Sequence, residues 1–257
     1  MTLFKTTAEF YSRFRVPYPL SLINQLIIDA GLQESSVVLD LATGPGRLAL
    51  RLAPAVHKVI AVDIEPEMLS EGARLAKDLS INNVEWTQAR AEDVELGKES
   101  LDLVTIGEAI HRLDQDLVLS RIRQWLKQDA PIAIVGSFAV LHGSRPWQVS
   151  LRHALKRWTA QRPQDESTRW RGEDHDTRRI AEAGFQEVQN RKFSISHTWT
   201  SDSILGNLLS TSQYSRQSLG DDLEDFEHAV RNALSASGEE TFCQTIPCGY
   251  TIGWNTN

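Results

Sequence analysis

The feature that most constrains the fold is an apolar run followed by a glycine turn at residues 37–46 (VVLDLATGPG). An uninterrupted apolar run such as 37–39 is typical of a strand that is buried on both faces of a parallel sheet. Gly44 and Gly46 predict a tight turn, and residues 47–53 (RLALRLA) predict a helix directly after it. This strand–turn–helix unit is typical of nucleotide sites, where a ligand approaches the glycines and the free N–H groups of the helix start.

Two acidic residues end two successive predicted strands. Asp40 ends the first strand, and Asp63 ends a second apolar strand at residues 59–62 (VIAV). Asp63 follows Gly44 by about 20 residues, the separation at which βαβ nucleotide sites hold a ribose hydroxyl. A glycine turn also occurs in α/β proteins that bind no ligand there, but the pair of acids favours a ligand site.

The charge of Asp40 indicates which nucleotide-containing ligand the predicted site binds. Residues 44–49 (GPGRLA) also fit the dinucleotide fingerprint, so an NAD-dependent oxidoreductase is an alternative. Asp40 opposes this alternative, because a carboxylate beside the turn repels a pyrophosphate and attracts an ammonium group. S-adenosylmethionine carries an α-ammonium, a ribose and a sulfonium but no phosphate, so the charge of Asp40 favours it. The sequence also shows no recognisable Tyr-x-x-x-Lys pair of an oxidoreductase.

Four segments, in their order and spacing, resemble the motifs of the class I S-adenosylmethionine-dependent methyltransferases over roughly residues 8–140. The segments are 40–46 (DLATGPG), 62–69 (VDIEPEML), 91–93 (AED) and 100–111 (SLDLVTIGEAIH). The resemblance implies an α/β, Rossmann-like methyltransferase fold with a seven-stranded, mostly parallel sheet, one antiparallel strand near the C-terminus and a helical cap. It implies S-adenosylmethionine as cofactor and methyl transfer to a small organic molecule as function.

The resemblance also implies which positions bind the cofactor: Asp40 near its ammonium, Asp63 at the ribose, and a carboxylate of segment 91–93 at the adenine amino group. The implied positions are Asp40, Ala42, Thr43, Gly44, Gly46, Asp63, Ile64, Met68, Ala91, Glu92, Asp93 and Gly107. Met68 could instead fill the core. Ala42 replaces the usual first glycine of the motif, a mild change. Arg112 replaces a Trp that is common in the trans-aconitate-methyltransferase-like subgroup, the nearest one.

Two residues in the loop after the fourth predicted strand are candidates for catalysis, because ligands collect at the carboxyl ends of parallel strands. His111 is predicted as a general base, since its unperturbed pKa suits proton transfer near neutral pH. Glu108 is predicted to steer a cationic or hydroxylated substrate. Alternatively, His111 bonds to a neighbour at a helix start and Glu108 faces solvent. Methyl transfer itself mainly requires orientation and exclusion of water.

The alternation of predicted strands and helices indicates one domain over residues 1–257 with a parallel sheet. An N-terminal lid is predicted at residues 1–30, and cap insertions at about 141–178 and 199–218. The lid and substrate candidates are Tyr11, Arg15, Tyr18, Trp147 and Trp170. The three lid residues belong to a segment resembling one that closes over the cofactor in the subgroup. The tryptophans suit an apolar or planar substrate. All of these aromatic residues could instead pack in local cores.

The composition of the chain indicates which classes of partner it can bind. The chain has 257 residues, 41% of them hydrophobic, which allows a sizeable core. Its net charge of −7 disfavours nucleic acid as a partner. No apolar run reaches membrane-spanning length, so a cytoplasmic monomer or homodimer without a membrane partner is expected. Cys243 and Cys248 form no zinc pattern, and no metal is expected. A non-catalytic binding protein with the methyltransferase fold is a further alternative.

Overall fold

The computed structural model describes residues 7–138, 140–161 and 173–256. Internal contacts divide the chain into two compact units. The sheet unit comprises Tyr18–Ser137, Ser167–Phe193 and Cys248–Asn257, and the helical unit comprises Met1–Pro17, Phe138–Glu166 and Ser194–Pro247. The predicted lid is therefore divided at Pro17, and the part of the first predicted cap insertion that is described before residue 162 belongs to the helical unit. A lid or cap function for these segments stays a prediction.

The predicted sheet is confirmed. Its strands are β1 (Val37–Leu41), β2 (Lys58–Asp63), β3 (Val84–Gln88), β4 (Leu103–Gly107), β5 (Pro131–Ser137), β6 (Gln186–Trp199) and β7 (Phe242–Trp254), in the spatial order β3-β2-β1-β4-β5-β7-β6. The first five strands pair in parallel, and β7 runs antiparallel to β5. This strand order agrees with the fold that the sequence motifs imply.

The strand register places the functional segments at one edge of the sheet. Asp40 in β1 lies opposite Ala61 in β2 and Thr105 in β4. Because these strands are parallel, the glycine turn after β1, Asp63 at the end of β2 and the loop after β4 all leave the sheet at its carboxyl edge. The edge predicted to hold the ligand is thus formed by neighbouring strands.

The helices are α1 (Ala8–Phe14), α2 (Leu20–Asp29), α3 (Ala49–Leu52), α4 (Pro66–Asp78), α5 (Gln115–Trp125), α6 (Pro146–Gln161), α7 (Glu173–Glu182), α8 (Ser201–Leu209), α9 (Arg216–Leu219) and α10 (Leu223–Ser235). Pro66 begins α4, where its missing N–H is not needed, and Asp114 caps α5 by accepting from Leu117 N–H. None of the described helices is long and apolar enough to span a membrane.

The prediction of a helix from residue 47 was wrong in its start and length. Helix α3 begins only at Ala49, and a 3-10 turn at Ala53–Ala55 follows it. Leu50 N–H donates to the Gly46 carbonyl at 2.9 Å, which is α-helical spacing, so the chain enters the helical turn directly after the second glycine. The difference therefore concerns the boundaries of the helix and not its presence.

Each unit has its own apolar core. In the sheet unit, the strands β1, β4 and β5 are buried between helices, as their uninterrupted apolar runs predicted. In the helical unit, Trp147 lies 5.4 Å from the ring of Phe242, and Trp158 meets Phe226 edge to face at the same distance. Trp147 has no exposed surface. The structure thus shows the core packing that was the alternative for Trp147, and its contact with a substrate stays a prediction.

Candidate cofactor and active site

Asp40 is a buried carboxylate that holds the glycine turn. Its Oδ2 accepts from Thr43 Oγ1 at 2.5 Å and from Ala49 N–H at 3.3 Å, and its Oδ1 accepts from Thr105 Oγ1 at 2.7 Å. Burial raises the pKa of Asp40 to about 6, and the nearby charge of Asp63 adds to this effect. Asp40 therefore has a structural role that the sequence did not predict. Its influence on a cofactor ammonium stays a prediction.

Asp63 connects the end of β2 to the same turn. Its Oδ2 accepts from Gly44 N–H at 2.7 Å, and its Oδ1 accepts from Glu65 N–H at 2.9 Å. Burial raises the pKa of this carboxyl, although backbone hydrogen bonds from Glu65, Gly44 and Ile64 oppose the shift. A carboxylate has about four acceptor positions, so the two oxygens retain room for ribose hydroxyls.

The backbone of the turn is left-handed at three positions. Ala42, Gly44 and Gly46 have φ angles of 52°, 57° and 81°. This conformation strains a residue that carries a Cβ. The replacement of the motif's first glycine by Ala42 is therefore more costly than the sequence suggested. Gly46 is required for a second reason, because a Cβ there would lie 2.6 Å from Trp86 Cη2.

The predicted adenine-side residues differ in accessibility. Ile64 exposes 48% of its surface directly after Asp63, whereas Met68 is buried in α4 and Ala91 is buried in a 3-10 turn. Glu92 already accepts from Asp114 N–H at 3.0 Å. The side chain of Asp93 is 68% exposed. Ile64 and Asp93 are thus the members of this group that are open to a ligand.

Glu108 is bound by donors from three other segments. Its Oε1 accepts from Ser137 Oγ at 2.6 Å, from Arg47 Nη1 at 3.2 Å and from the Tyr18 hydroxyl at 3.3 Å. The guanidinium of Arg47 also stacks on the Tyr18 ring at 4.3 Å. Glu108 has a φ of 53° and directly follows Gly107 at the end of β4. These contacts do not fit the alternative that Glu108 only faces solvent, and its role in steering a substrate stays a prediction.

His111 lies in a 3-10 turn, Ile110–Arg112, after this loop. Burial lowers its pKa to about 4, and the charge of Arg112 contributes. Its buried Nδ1 has no hydrogen-bond partner among the described residues. The sequence argument assumed the ordinary histidine pKa, and the structure corrects that assumption. His111 is neutral at pH 7 and only weakly basic.

The lid candidates fall in different places. Arg15 donates from Nε to Ser210 Oγ at 2.8 Å and stacks on Tyr11, within the helical unit. In the same unit, Asn207 Nδ2 donates to the carbonyl of Phe14 at 3.0 Å, which ties α1 to α8. Tyr18 belongs to the sheet unit. Trp170 lies outside the described residues.

Sequence reasoning missed three residues that build the site. Thr105 is the one hydroxyl in the apolar run of β4, and a polar residue inside a buried strand was a usable signal. Arg47 directly follows the second glycine of the turn, and Ser137 ends β5. Neither of these two carried a local signal, because their partner Glu108 is distant in sequence.

The arrangement fits S-adenosylmethionine. Asp40 and Asp63 place two carboxylates at neighbouring strand ends, around a turn whose glycines lack side chains. Such a turn suits a ligand with an ammonium group and a ribose better than one with a pyrophosphate. Ile64 adds an exposed apolar surface beside Asp63 for a planar base.

Comparisons with known proteins agree with this reading of the site. Residues 38–129 match the family model described as "Methyltransferase domain". The chain is 29% identical over 139 residues to the uncharacterized methyltransferase YcgJ of Bacillus subtilis, covering 54% of this chain and 55% of that protein. It is 28% identical over 148 residues to the probable S-adenosylmethionine-dependent methyltransferase CRG1 of Saccharomyces cerevisiae, covering 56% and 48%. The chain thus spans about half the length of the curated relatives it matches.

The crystal structure of YcgJ from Bacillus subtilis superposes with a TM-score of 0.60 at 20% identity, covering 92% of this chain and 99% of that one. At this identity the likeness shows the shared fold. Membership of the trans-aconitate subgroup stays a prediction. The four ordered motifs resemble those of the class I S-adenosylmethionine-dependent methyltransferases, residues 38–129 match a methyltransferase domain, and one relative is named a probable S-adenosylmethionine-dependent methyltransferase.

Proposed function

We propose that the chain transfers the methyl group of S-adenosylmethionine to a small organic molecule. The observation that carries this proposal is the placement of Asp40 and Asp63 at neighbouring strand ends around the glycine turn, inside the matched domain. The overall charge of −7 supports a small molecule rather than a nucleic acid as acceptor.

On the cofactor side, the chain's contribution is binding and orientation. When bound, S-adenosylmethionine supplies a methyl group already activated by its sulfonium. Asp63 retains acceptor capacity for ribose hydroxyls, Ile64 offers an apolar surface to the base, and the exposed Asp93 can accept from an adenine amino group. Asp40 contributes negative charge from below the turn and keeps the turn in shape.

On the acceptor side, a neutral His111 can hydrogen-bond to a nucleophile through its buried Nδ1. A base with a pKa of about 4 removes a proton poorly at pH 7, so we assign His111 to orientation of the nucleophile rather than to its deprotonation. Glu108 is compensated by Arg47, which weakens any steering of a cationic substrate. We assign Glu108 to positioning of the loop after β4.

Calorimetric titration tests the cofactor. S-adenosylmethionine and S-adenosylhomocysteine should bind saturably to the wild-type chain, and NAD should not. Asp63→Ala should weaken both by about tenfold or more, because ribose hydrogen bonds to a charged acceptor are lost. Asp78→Ala is the matched control, since Asp78 pairs with Arg74 on an exposed face of α4. Binding of NAD alone would overturn the proposal.

Turnover separates an enzyme from a binding protein that keeps the fold. We would incubate the chain with S-adenosylmethionine and pools of small amines, phenols and carboxylic acids, and measure S-adenosylhomocysteine. Formation above the acceptor-free level, abolished by Asp63→Ala, supports a methyltransferase of small molecules. Tight cofactor binding with no turnover in any pool would contradict the proposed activity and favour the non-catalytic alternative.

A further inference from the structure

A cavity of about 520 Å³ lies in the sheet unit, away from the candidate active site. Its lining includes Lys98 and Glu99, which precede β4, Gln128, which precedes β5, and Asn255, which follows the antiparallel β7. All of these positions are at the amino edge of the parallel strands. The glycine turn and the loop after β4 are at the carboxyl edge, so this cavity is a different site.

One cation in the cavity, Arg123 of α5, is held in place by neutral groups. Its Nε donates to Asn255 Oδ1 at 3.2 Å, and its Nη1 donates to the Ala183 carbonyl at 3.4 Å. Asn255 is itself fixed, because its Nδ2 donates to the carbonyls of Arg123 and Leu126. No carboxylate of the described residues pairs with Arg123. The guanidinium is thus oriented while its charge remains uncompensated.

The other charged residues of the lining differ in how they are paired. Arg179 pairs with both Asp116 and Glu182, and these three residues together carry a net charge of −1. Lys98 has no ion-pair partner within the described parts of the chain, and Glu99 is the acid of the lining that is not paired with Arg179. The lining therefore holds three cations and three acids, and Arg123 and Lys98 are its cations without an ion pair.

We propose that this cavity binds a small oxyanion, the carboxylate or phosphate group of a metabolite. A fixed guanidinium matches the geometry of such oxygens, and its hydrogen bonds to them are strengthened by charge. The volume is within the range of small-molecule sites. Lys98 adds a second positive charge without an ion pair at the same cavity. The proposal does not depend on the methyltransferase activity.

Calorimetry with the full chain tests the proposal, with S-adenosylhomocysteine present at saturation to fill the cofactor site. The probes are succinate, inorganic phosphate and succinamide, which is the neutral analogue of succinate. We expect saturable binding of at least one anion and none of succinamide. Which anion binds more tightly distinguishes a carboxylate from a phosphate ligand.

Substitutions in the lining test whether the anion binds in this cavity. Arg123→Gln should weaken the anion about tenfold or more, and Lys98→Met by less, because hydrogen bonds to charged groups are lost. Glu99→Gln should tighten binding, since it removes the opposing charge. Arg121→Gln is the matched control: Arg121 lies on the same helix but donates to the Val94 carbonyl and does not line the cavity. If Arg123→Gln does not fold, the other two variants test the proposal: anion affinity should fall in Lys98→Met and rise in Glu99→Gln.

Any of three results would overturn the proposal. The first is that neither anion binds saturably. The second is that Arg121→Gln weakens binding as much as Arg123→Gln, which would indicate a general charge effect. The third is that saturation with S-adenosylhomocysteine abolishes binding that is seen without it, which would move the anion to the cofactor site.

Discussion

Arg47 and Glu108 form an ion pair of 3.2 Å that joins the glycine turn to the loop after β4. Ser137 and Tyr18 donate to the same carboxylate oxygen. One carboxylate therefore fixes the relative positions of the cofactor turn, the acceptor loop, the end of β5 and the segment before α2. Glu108 adopts a left-handed φ to do so, a conformation that costs about 1–2 kcal/mol for a residue with a Cβ.

Glu108→Gly separates the function of this cluster from folding. Glycine relieves the left-handed strain, so we expect the free energy of unfolding to change by no more than about 1 kcal/mol. Loss of the carboxylate frees the loop, and kcat/KM for methyl transfer should fall about tenfold or more. Glu108→Gln keeps an acceptor but not the charge, so its kcat/KM should lie between the values of the wild type and Glu108→Gly. Full turnover by Glu108→Gly would show that the cluster does not position the site.

Ala42→Gly should stabilise the protein. Ala42 has a φ of 52°, which glycine adopts without strain. After the larger entropy of glycine in the unfolded chain is subtracted, we expect a gain of roughly 0.5–1 kcal/mol in urea unfolding. Ala42→Val is the control and should destabilise, because β-branched residues tolerate this region worst. A loss of stability in Ala42→Gly would mean that Ala42 makes contacts that outweigh its strain.

The fold could be predicted from local sequence because its determinants are local. The apolar runs at residues 37–39 and 59–62, each followed directly by an acid, indicate parallel strands without any knowledge of their partners. The order of the motifs then carries the resemblance to the class I methyltransferases. The start of α3 was predicted two residues too early, because the apolar pattern does not mark the exact first residue of a helix.

The site was harder to predict because its properties depend on distant residues. The low pKa of His111 follows from burial and from Arg112, and burial is a property of the folded chain. The role of Glu108 follows from Tyr18, Arg47 and Ser137, which come from three other segments. Spacing within one motif cannot show such convergence.

Asp40 and His111 should give opposite pH dependences of stability. The pKa of Asp40 is raised to about 6, so its contribution is full below its unfolded pKa near 3.8 and is lost as pH rises through 6. The pKa of His111 is lowered from 6.5 to about 4, so stability is lost as pH falls through that interval. The two contributions oppose each other between pH 4 and 6.

Variants separate these contributions. On acidification from pH 7 to 4.5, Asp40→Asn should lose more stability than the wild type, because it lacks the gain from protonating Asp40. His111→Gln should lose less, because no buried imidazole needs to be protonated. Urea unfolding at both pH values measures the difference. Identical pH dependence in all three proteins would contradict the pKa shifts of both residues.

The pH profile of turnover tests the role of His111. At saturating S-adenosylmethionine and acceptor, His111 should add no acid limb to kcat as pH falls from 8 to 5.5, because it remains neutral over this range. Replacement by Gln should lower kcat without changing the shape of the profile, since any limb from Asp40, whose pKa is about 6, is present in both proteins. An acid limb with a pKa near 6.5 in the wild type, absent from His111→Gln, would restore His111 as a general base.

Trp86 in β3 occupies the space that two glycines leave free. A Cβ on Gly72 in α4 would lie 2.5 Å from the Trp86 ring, and one on Gly46 would lie 2.6 Å from it. The ring therefore packs over both the glycine turn and α4, which links the position of the turn to a residue outside the motif.

A double-mutant cycle measures this packing. Alanine normally stabilises a helix interior relative to glycine by about 0.8–1 kcal/mol. In the wild type, Gly72→Ala should instead destabilise by roughly 1–3 kcal/mol, because the indole must shift. In a Trp86→Leu background, where the ring is absent, the same substitution should become neutral or stabilising. Ser70→Ala, at an exposed position of the same helix, is the control and should be insensitive to residue 86. Equal effects of Gly72→Ala in both backgrounds would show that the ring does not restrict this position.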